Sequence, residues 1–112
     1  EFNHDRRMLA QGPYPPALER RVGGDWGHLS NDQAVDFLEQ IDVAALRRLF
    51  IAHISEKNNH RDRVLTTLEA RCPELLPRLT WACQREGFAW FDLEESGTEA
   101  PSLESTLRQS AY

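Results

Sequence analysis

The sequence predicts an α/β fold, a small sheet with covering helices. Three observations carry that reading. "RLFIAHI", Arg48 to Ile54, is a short apolar run of strand length, rich in Ile and Phe. Segments with helical apolar spacing lie on both sides of it, so the strand is expected to be buried and parallel to its neighbour. "FAWFDL", Phe88 to Leu93, reads as the last strand. A sheet of two or three strands buries little by itself. Its apolar faces therefore call for another layer, either a second copy of the chain or a segment N-terminal to Glu1.

The elements follow in order. Residues 1–26 are irregular, with a turn or two of helix in "RRMLAQ" that Gly12 ends. "GPYPP" can neither continue a helix nor enter a central strand, but Pro15-Pro16 can open a short helix through "ALERRV". Gly23-Gly24 breaks the chain again. Ser30 is a good N-cap, with Gln33 as its capping-box partner. The helix that follows places Ala34, Val35, Leu38 and Ile41 on one stripe and turns Asp32, Asp36, Glu39 and Gln40 to water. After the first strand, a second helix is expected from about His60 to Arg71, with Val64, Leu65 and Leu68 inward. Pro73 and Pro77 punctuate the chain. Leu75, Leu76, Leu79, Ala82 and Cys83 then keep helical spacing to about Glu86, where Gly87 closes the run. Residues 94–112 are polar and read as a mobile tail, with one weak helical turn around Leu103 and Leu107.

At 112 residues the chain fits one domain with a modest core. A net charge of −5 and pI near 5.3 argue against nucleic-acid binding by the surface as a whole, while leaving room for a local basic site. Lysine occurs once, at Lys57, and arginines come in pairs: Arg6-Arg7, Arg20-Arg21 and Arg47-Arg48. A guanidinium suits phosphate or carboxylate, or it simply solvates a surface. No apolar run reaches the length of a membrane span, and no signal peptide opens the chain. Cys72 and Cys83 sit in apolar company, so buried free thiols in a reducing cytosol are expected. The chain opens on glutamate rather than methionine, and is read as a fragment.

Two stretches, "GHLSNDQA" and "AHISEKNN", each place a histidine two residues before a serine. His53 falls at the C-terminal end of the strand, where α/β folds expose site residues. It is either an edge histidine with one satisfied nitrogen or a ligand supported by Ser55, Asn58 and Asn59 in the following loop. His28 lies in a Gly-flanked turn just before the Ser30 cap and either assists that cap or faces the same cavity as His53. His4 and Asp5 in "FNHD" form an Asx-turn or a polar cluster at a strand end. His60 reads as surface. Four histidines and several aspartates could build a zinc site, but no pair has the tight spacing that identifies one. There is no Gly-rich phosphate loop, no CxxC and no nucleophile elbow.

Taken together, "EFNHDRRMLAQGPYPPALERRVGGDWGHLSNDQA" and "IAHISEKNN" closely resemble the C-terminal half of metallo-β-lactamase-fold hydrolases, in the WalJ-like bacterial branch of exonuclease- or phosphodiesterase-type proteins. In that branch "E-x-N-[HY]-D" precedes "ML", "G-x-YP", "GH-[LV]-SN" and "[AS]-H-[LI]-S-x-x-N-N". The resemblance covers Glu1 to Asn59, with a looser match at 88–93. It implies the C-terminal half of an αββα sandwich, with domain boundaries at 1–93 and a tail at 94–112. His53 then resembles the last protein ligand of a dinuclear zinc or manganese centre. His28 resembles the histidine of related phosphodiesterases that either supports a metal ligand or handles a proton. Asn3 and Asp5 look like strand-end supports, and Arg20 and Arg21 like phosphate contacts. The family's hallmark HxHxDH does not occur in these residues, so one site is expected to be present only in part.

The functional expectation is a portion of a metal-dependent phosphodiesterase or nuclease, cytoplasmic, using a metal-bound hydroxide. On that reading the isolated chain lacks most metal ligands and is inactive. Its partners would be the missing N-terminal half or a second copy, with a nucleic acid or other phosphodiester as substrate and no membrane. The alternative is a non-catalytic α/β interaction module that binds a partner or itself.

Overall fold

The computed structural model describes residues 1–91, a small mixed α/β unit. Its elements are α1 (Arg6–Gln11), α2 (Pro16–Gly23), α3 (Asn31–Leu38), β1 (Leu49–Ile51), α4 (Arg61–Arg71) and β2 (Leu79–Trp81). Short 3-10 turns at Val43–Ala45 and Pro73–Arg78 precede the two strands.

Local chemistry sets most helix boundaries. Asp5 caps α1 by accepting from the Met8 N–H at 2.9 Å. Pro16 opens α2, where a missing N–H costs nothing. Ser30 and Gln33 form the full capping box of α3: Ser30 Oγ accepts from the Gln33 N–H at 3.2 Å, and Gln33 Oε1 accepts from the Ser30 N–H at 2.9 Å. His60 caps α4, its Nδ1 accepting from the Asp62 N–H. Helix α3 ends at Leu38, short of the expected stripe, so Ile41 lies beyond it and is exposed.

β1 and β2 pair in parallel, with Leu49 opposite Leu79, Phe50 opposite Thr80 and Ile51 opposite Trp81. The identity of the second strand corrects the sequence reading. The run from Leu75 to Glu86 is not a helix: Pro73 and Pro77 confine its first part to a 3-10 turn, and the chain then extends through Leu79–Trp81. Residues 88–91 form no strand. Phe88 and Phe91 instead pack their rings 4.6 and 5.1 Å from that of Phe50. Asp92, Leu93 and the expected tail at 94–112, with its turn at Leu103 and Leu107, lie outside the described residues.

The core gathers Ala34, Val35 and Leu38 of α3, Ile51 of β1, Val64 and Leu68 of α4, Leu79 and Trp81 of β2, with Phe2, Ile54, Cys72 and Leu75. Apolar burial here supplies the main favourable term. Outside the core, Arg71 of α4 ties down Asp36 of α3 and Glu39, the residue that caps its C-terminus. The Arg61 guanidinium lies 4.3 Å from the Trp81 ring centroid. Both cysteines are free, but only Cys72 is buried; Cys83 is half-buried.

The third layer of order is neither helix nor named strand. Residues 2–5 run extended between two loops and bond to both. On one side the Phe2 N–H donates to Ala52 O (3.2 Å) and the Ser55 N–H to Asn3 O (2.8 Å). On the other the Asn3 N–H donates to Leu29 O (3.0 Å) and the Asn31 N–H to His4 O (2.9 Å), a parallel bridge of His4 with Ser30. The second edge is thus a single isolated parallel bridge, and the first is a pair of backbone hydrogen bonds without one. The thread holds the loop after α2 beside the turn after β1.

Candidate functional site

Alternation along the thread sorts its side chains. Phe2 and His4 point to the interior and are both 2% exposed. Glu1 and Asn3 fall on the opposite face and reach the site. Glu1 Oε1 lies 2.9 Å from His28 Nδ1 and accepts from the Leu29 N–H at 3.0 Å. Its Oε2 lies 3.2 Å from His53 Nδ1. One carboxylate thus joins both histidines.

Burial raises the Glu1 carboxyl's pKa, but the Leu29 N–H and the two imidazoles outweigh it, and the net shift is downward. An ionised carboxylate only accepts, so each imidazole donates from Nδ1. That fixes the tautomer of a neutral ring and leaves Nε2 of His28 and of His53 with the lone pair. Both rings are more than half exposed, and both line one open cleft of about 660 Å³ together with Asn3, Tyr14, Ser55 and Lys57.

The backbone at His53 is unusual. Its φ is +58°, in the left-handed region that non-glycine residues seldom adopt. Asn3 Nδ2 donates to the His53 carbonyl at 2.9 Å and holds that turn. The loop carrying His28 is equally constrained. The His28 N–H donates to Val22 O at 2.8 Å, closing the end of α2. A Cβ on Gly27 would sit 2.2 Å from the carbonyl oxygens of Arg21 and Val22, so only glycine fits there.

The other sequence candidates occupy distinct positions. Asn59 is a buried tie: its amide donates to Phe2 O (3.0 Å) and Asn31 Oδ1 (2.8 Å), and its Oδ1 accepts from Asn31 Nδ2 and the His60 N–H, each at 2.9 Å. Ser55 Oγ accepts from the Asn58 N–H at 3.1 Å, shaping the turn. The Asn58 backbone carbonyl accepts from the Asp5 N–H at 2.9 Å, while its buried side-chain amide has no hydrogen-bond partner. Asp5 is engaged as the α1 cap. Arg20 and Arg21 are exposed on the last turn of α2 and do not line the cleft. Glu1, Tyr14 and Lys57 were not singled out from sequence. The alternation of Glu1, Phe2, Asn3 and His4 was the available signal for Glu1, since it places Glu1 on the face of Asn3.

Among the described residues, no group of three or more His, Cys, Asp or Glu side chains is arranged to hold a metal ion. The donor chemistry fits a single ligand: an imidazole oriented by a carboxylate, as metal-binding histidines commonly are. It does not by itself make a metal site. No helix among these residues is long and apolar enough to cross a membrane.

Comparison with known proteins gives this arrangement a context. The chain is 34% identical over 62 residues to exodeoxyribonuclease YycJ of Bacillus anthracis, covering 55% of this chain and 24% of that protein. It is 29% identical over 68 residues to exodeoxyribonuclease WalJ of Streptococcus pneumoniae, covering 61% of this chain and 25% of that protein. It is a distant relative of these nucleases. The chain spans about a quarter of the length of the YycJ and WalJ proteins it matches. No protein-family model matches it, and no solved structure matches it with significance.

Proposed function

We propose that this chain is the histidine-bearing part of a DNA-cleaving hydrolase of the metallo-β-lactamase αββα fold. The carrying observation is the Glu1 carboxylate that receives Nδ1 of both His28 and His53. Support comes from the distant similarity to YycJ and WalJ.

In this reading His53 offers Nε2 as one ligand of a divalent metal, zinc or manganese, whose other ligands come from the rest of the fold. Such a metal would supply a hydroxide nucleophile and polarise the phosphodiester. His28 handles a proton at its Nε2. The Glu1 carboxylate stabilises the imidazolium and keeps the ring oriented, as a carboxylate does for a general-base histidine. Asn3 serves the site by holding the His53 turn, and Asn59 by tying the thread to both loops. Arg20 and Arg21 would approach the phosphodiester backbone at the margin of the cleft.

The test compares the 112-residue chain with the same chain joined to the segment that completes the fold, each supplied with manganese or zinc. Short DNA and bis(p-nitrophenyl) phosphate are the substrates. The completed protein is expected to cleave both in a chelator-sensitive way, and the chain alone to do so poorly or not at all. In the completed protein His53→Ala removes most of the rate. Full activity of His53→Ala overturns the assignment. Chelator-sensitive turnover by the chain alone overturns the division of the site.

A further inference from the structure

The left-handed turn at His53 interrupts the backbone bonding between the thread and the loop after β1. Before it, the Ala52 carbonyl accepts from the Phe2 N–H; after it, the Ser55 N–H donates to Asn3 O. The His53 carbonyl between them is met by a side chain, Nδ2 of Asn3 at 2.9 Å. A non-glycine residue at φ +58° persists only where its surroundings hold it. The orientation of the Asn3 amide is therefore part of what aims the His53 ring.

That amide is asymmetric, and its other end is engaged too. Asn3 Oδ1 lies 3.3 Å from Nδ1 of His4. His4 is 2% exposed, and among the described residues nothing else bonds to its ring. With Nδ2 committed to the His53 carbonyl, Asn3 presents only an acceptor to His4. The contact is a hydrogen bond only if a neutral His4 carries its proton on Nδ1. The other tautomer sets a lone pair against Oδ1. Flipping the amide relieves that clash but turns Oδ1 against the His53 carbonyl, and the turn loses its donor.

We propose that His4 is a positioning residue for the candidate site: its Nδ1–H fixes the Asn3 amide, and the amide fixes the turn that presents His53. This rests on the reading of His53 as a metal ligand and extends it to a buried imidazole that touches neither metal nor substrate.

The experiment is NMR on the full 112-residue chain, isotope-labelled, at mildly alkaline pH where the His4 ring is neutral. Long-range proton–nitrogen correlations show which ring nitrogen carries the proton. His4 is expected to carry it on Nδ1, and a proton on Nε2 overturns the proposal. Two variants then separate hydrogen bonding from packing. The side-chain amide of His4→Asn reaches the position of Nδ1 and that of His4→Gln the position of Nε2, while glutamine fills more of the space. The readouts are the His53 ring resonances and the Ile54 N–H, which shares a peptide group with the His53 carbonyl. Both are expected to stay near the parent's in His4→Asn and to move in His4→Gln as far as they do in Asn3→Ala. If His4→Gln lies nearer the parent, or the two variants behave alike, His4 only fills space and the proposal falls. If neither variant folds, the tautomer in the parent decides alone. No metal or substrate enters these measurements, so their failure leaves the nuclease reading to be judged separately by His53→Ala cleavage in the completed protein.

Discussion

The helical core and the N-terminal thread are held by different physics. Where α3 and α4 pack over the two strands, contact is apolar and the positions are interchangeable in kind. Where residues 1–5 cross the loops at 28–31 and 52–59, order depends on individually placed donors and acceptors. The core tolerates approximate fit because hydrophobic burial is non-directional. The thread does not, because a misplaced amide leaves a buried polar group unpaired. The candidate site is built on the second kind of region, so its geometry and the stability of the fold should be separable by mutation.

The largest effect tests the core side of that contrast. Leu68 on α4 is fully buried. Leu68→Ala is expected to lower unfolding free energy by about 2–5 kcal/mol through lost burial and a cavity. Urea denaturation measures the loss. Imidazole NMR resonances of His28 and His53 in the molecules that stay folded should be nearly unchanged.

Asn59→Ala comes next and tests the other side. It removes the ties to Phe2 O, to Asn31 and to the His60 N–H, for an expected loss of about 2–3 kcal/mol. Here both histidine resonances should move, since the thread that positions Glu1 loosens. Should Leu68→Ala disturb them as much as Asn59→Ala, the two regions are not separable.

The smallest effect is in pH dependence, and both contributors lie on the thread. Burial, with help from His28 and Arg6, holds the His4 imidazole below its ordinary 6.5. As pH falls below 6.5, the unfolded chain takes up a proton that the folded chain resists, so stability falls until the folded pKa is passed. The Glu1 carboxyl is also lowered, from 4.5, so its contribution is present above 4.5 and is lost as pH falls through the folded value. Unfolding midpoints from pH 7 to 3 should decline in these two stages. His4→Gln is expected to flatten the first and Glu1→Gln the second. A core substitution should shift the whole curve without changing its shape.

This division also decides what was legible in the sequence. The Ser30–Gln33 box, the Pro at the start of α2 and the β1 run were readable because each is a local pattern. The second strand was not. Leu75, Leu76, Leu79 and Ala82 satisfy a helical period, and only Pro77, two residues before Leu79, and the apolar–polar–apolar order of Leu79-Thr80-Trp81 speak for extension. The histidines drew attention because His53 follows an apolar strand run and His28 lies in a Gly-flanked turn before a helix cap, whereas the left-handed backbone at His53 had no sequence signal. Glu1 drew none, because its role comes from partners far along the chain. Nor could the sequence distinguish Asn59, the buried tie, from Asn58 next to it.

That remoteness bears on how the molecule assembles. Glu1 meets its two histidines across sequence separations of 27 and 52 residues, whereas the α3 cap spans three. Helix ends and the α3 box can form on local contacts, but the carboxylate bridge must wait for two long loops to close. During refolding, helical circular dichroism should therefore recover ahead of the histidine environment. An interrupted folding reaction would contain helices that look native around a site that does not yet exist.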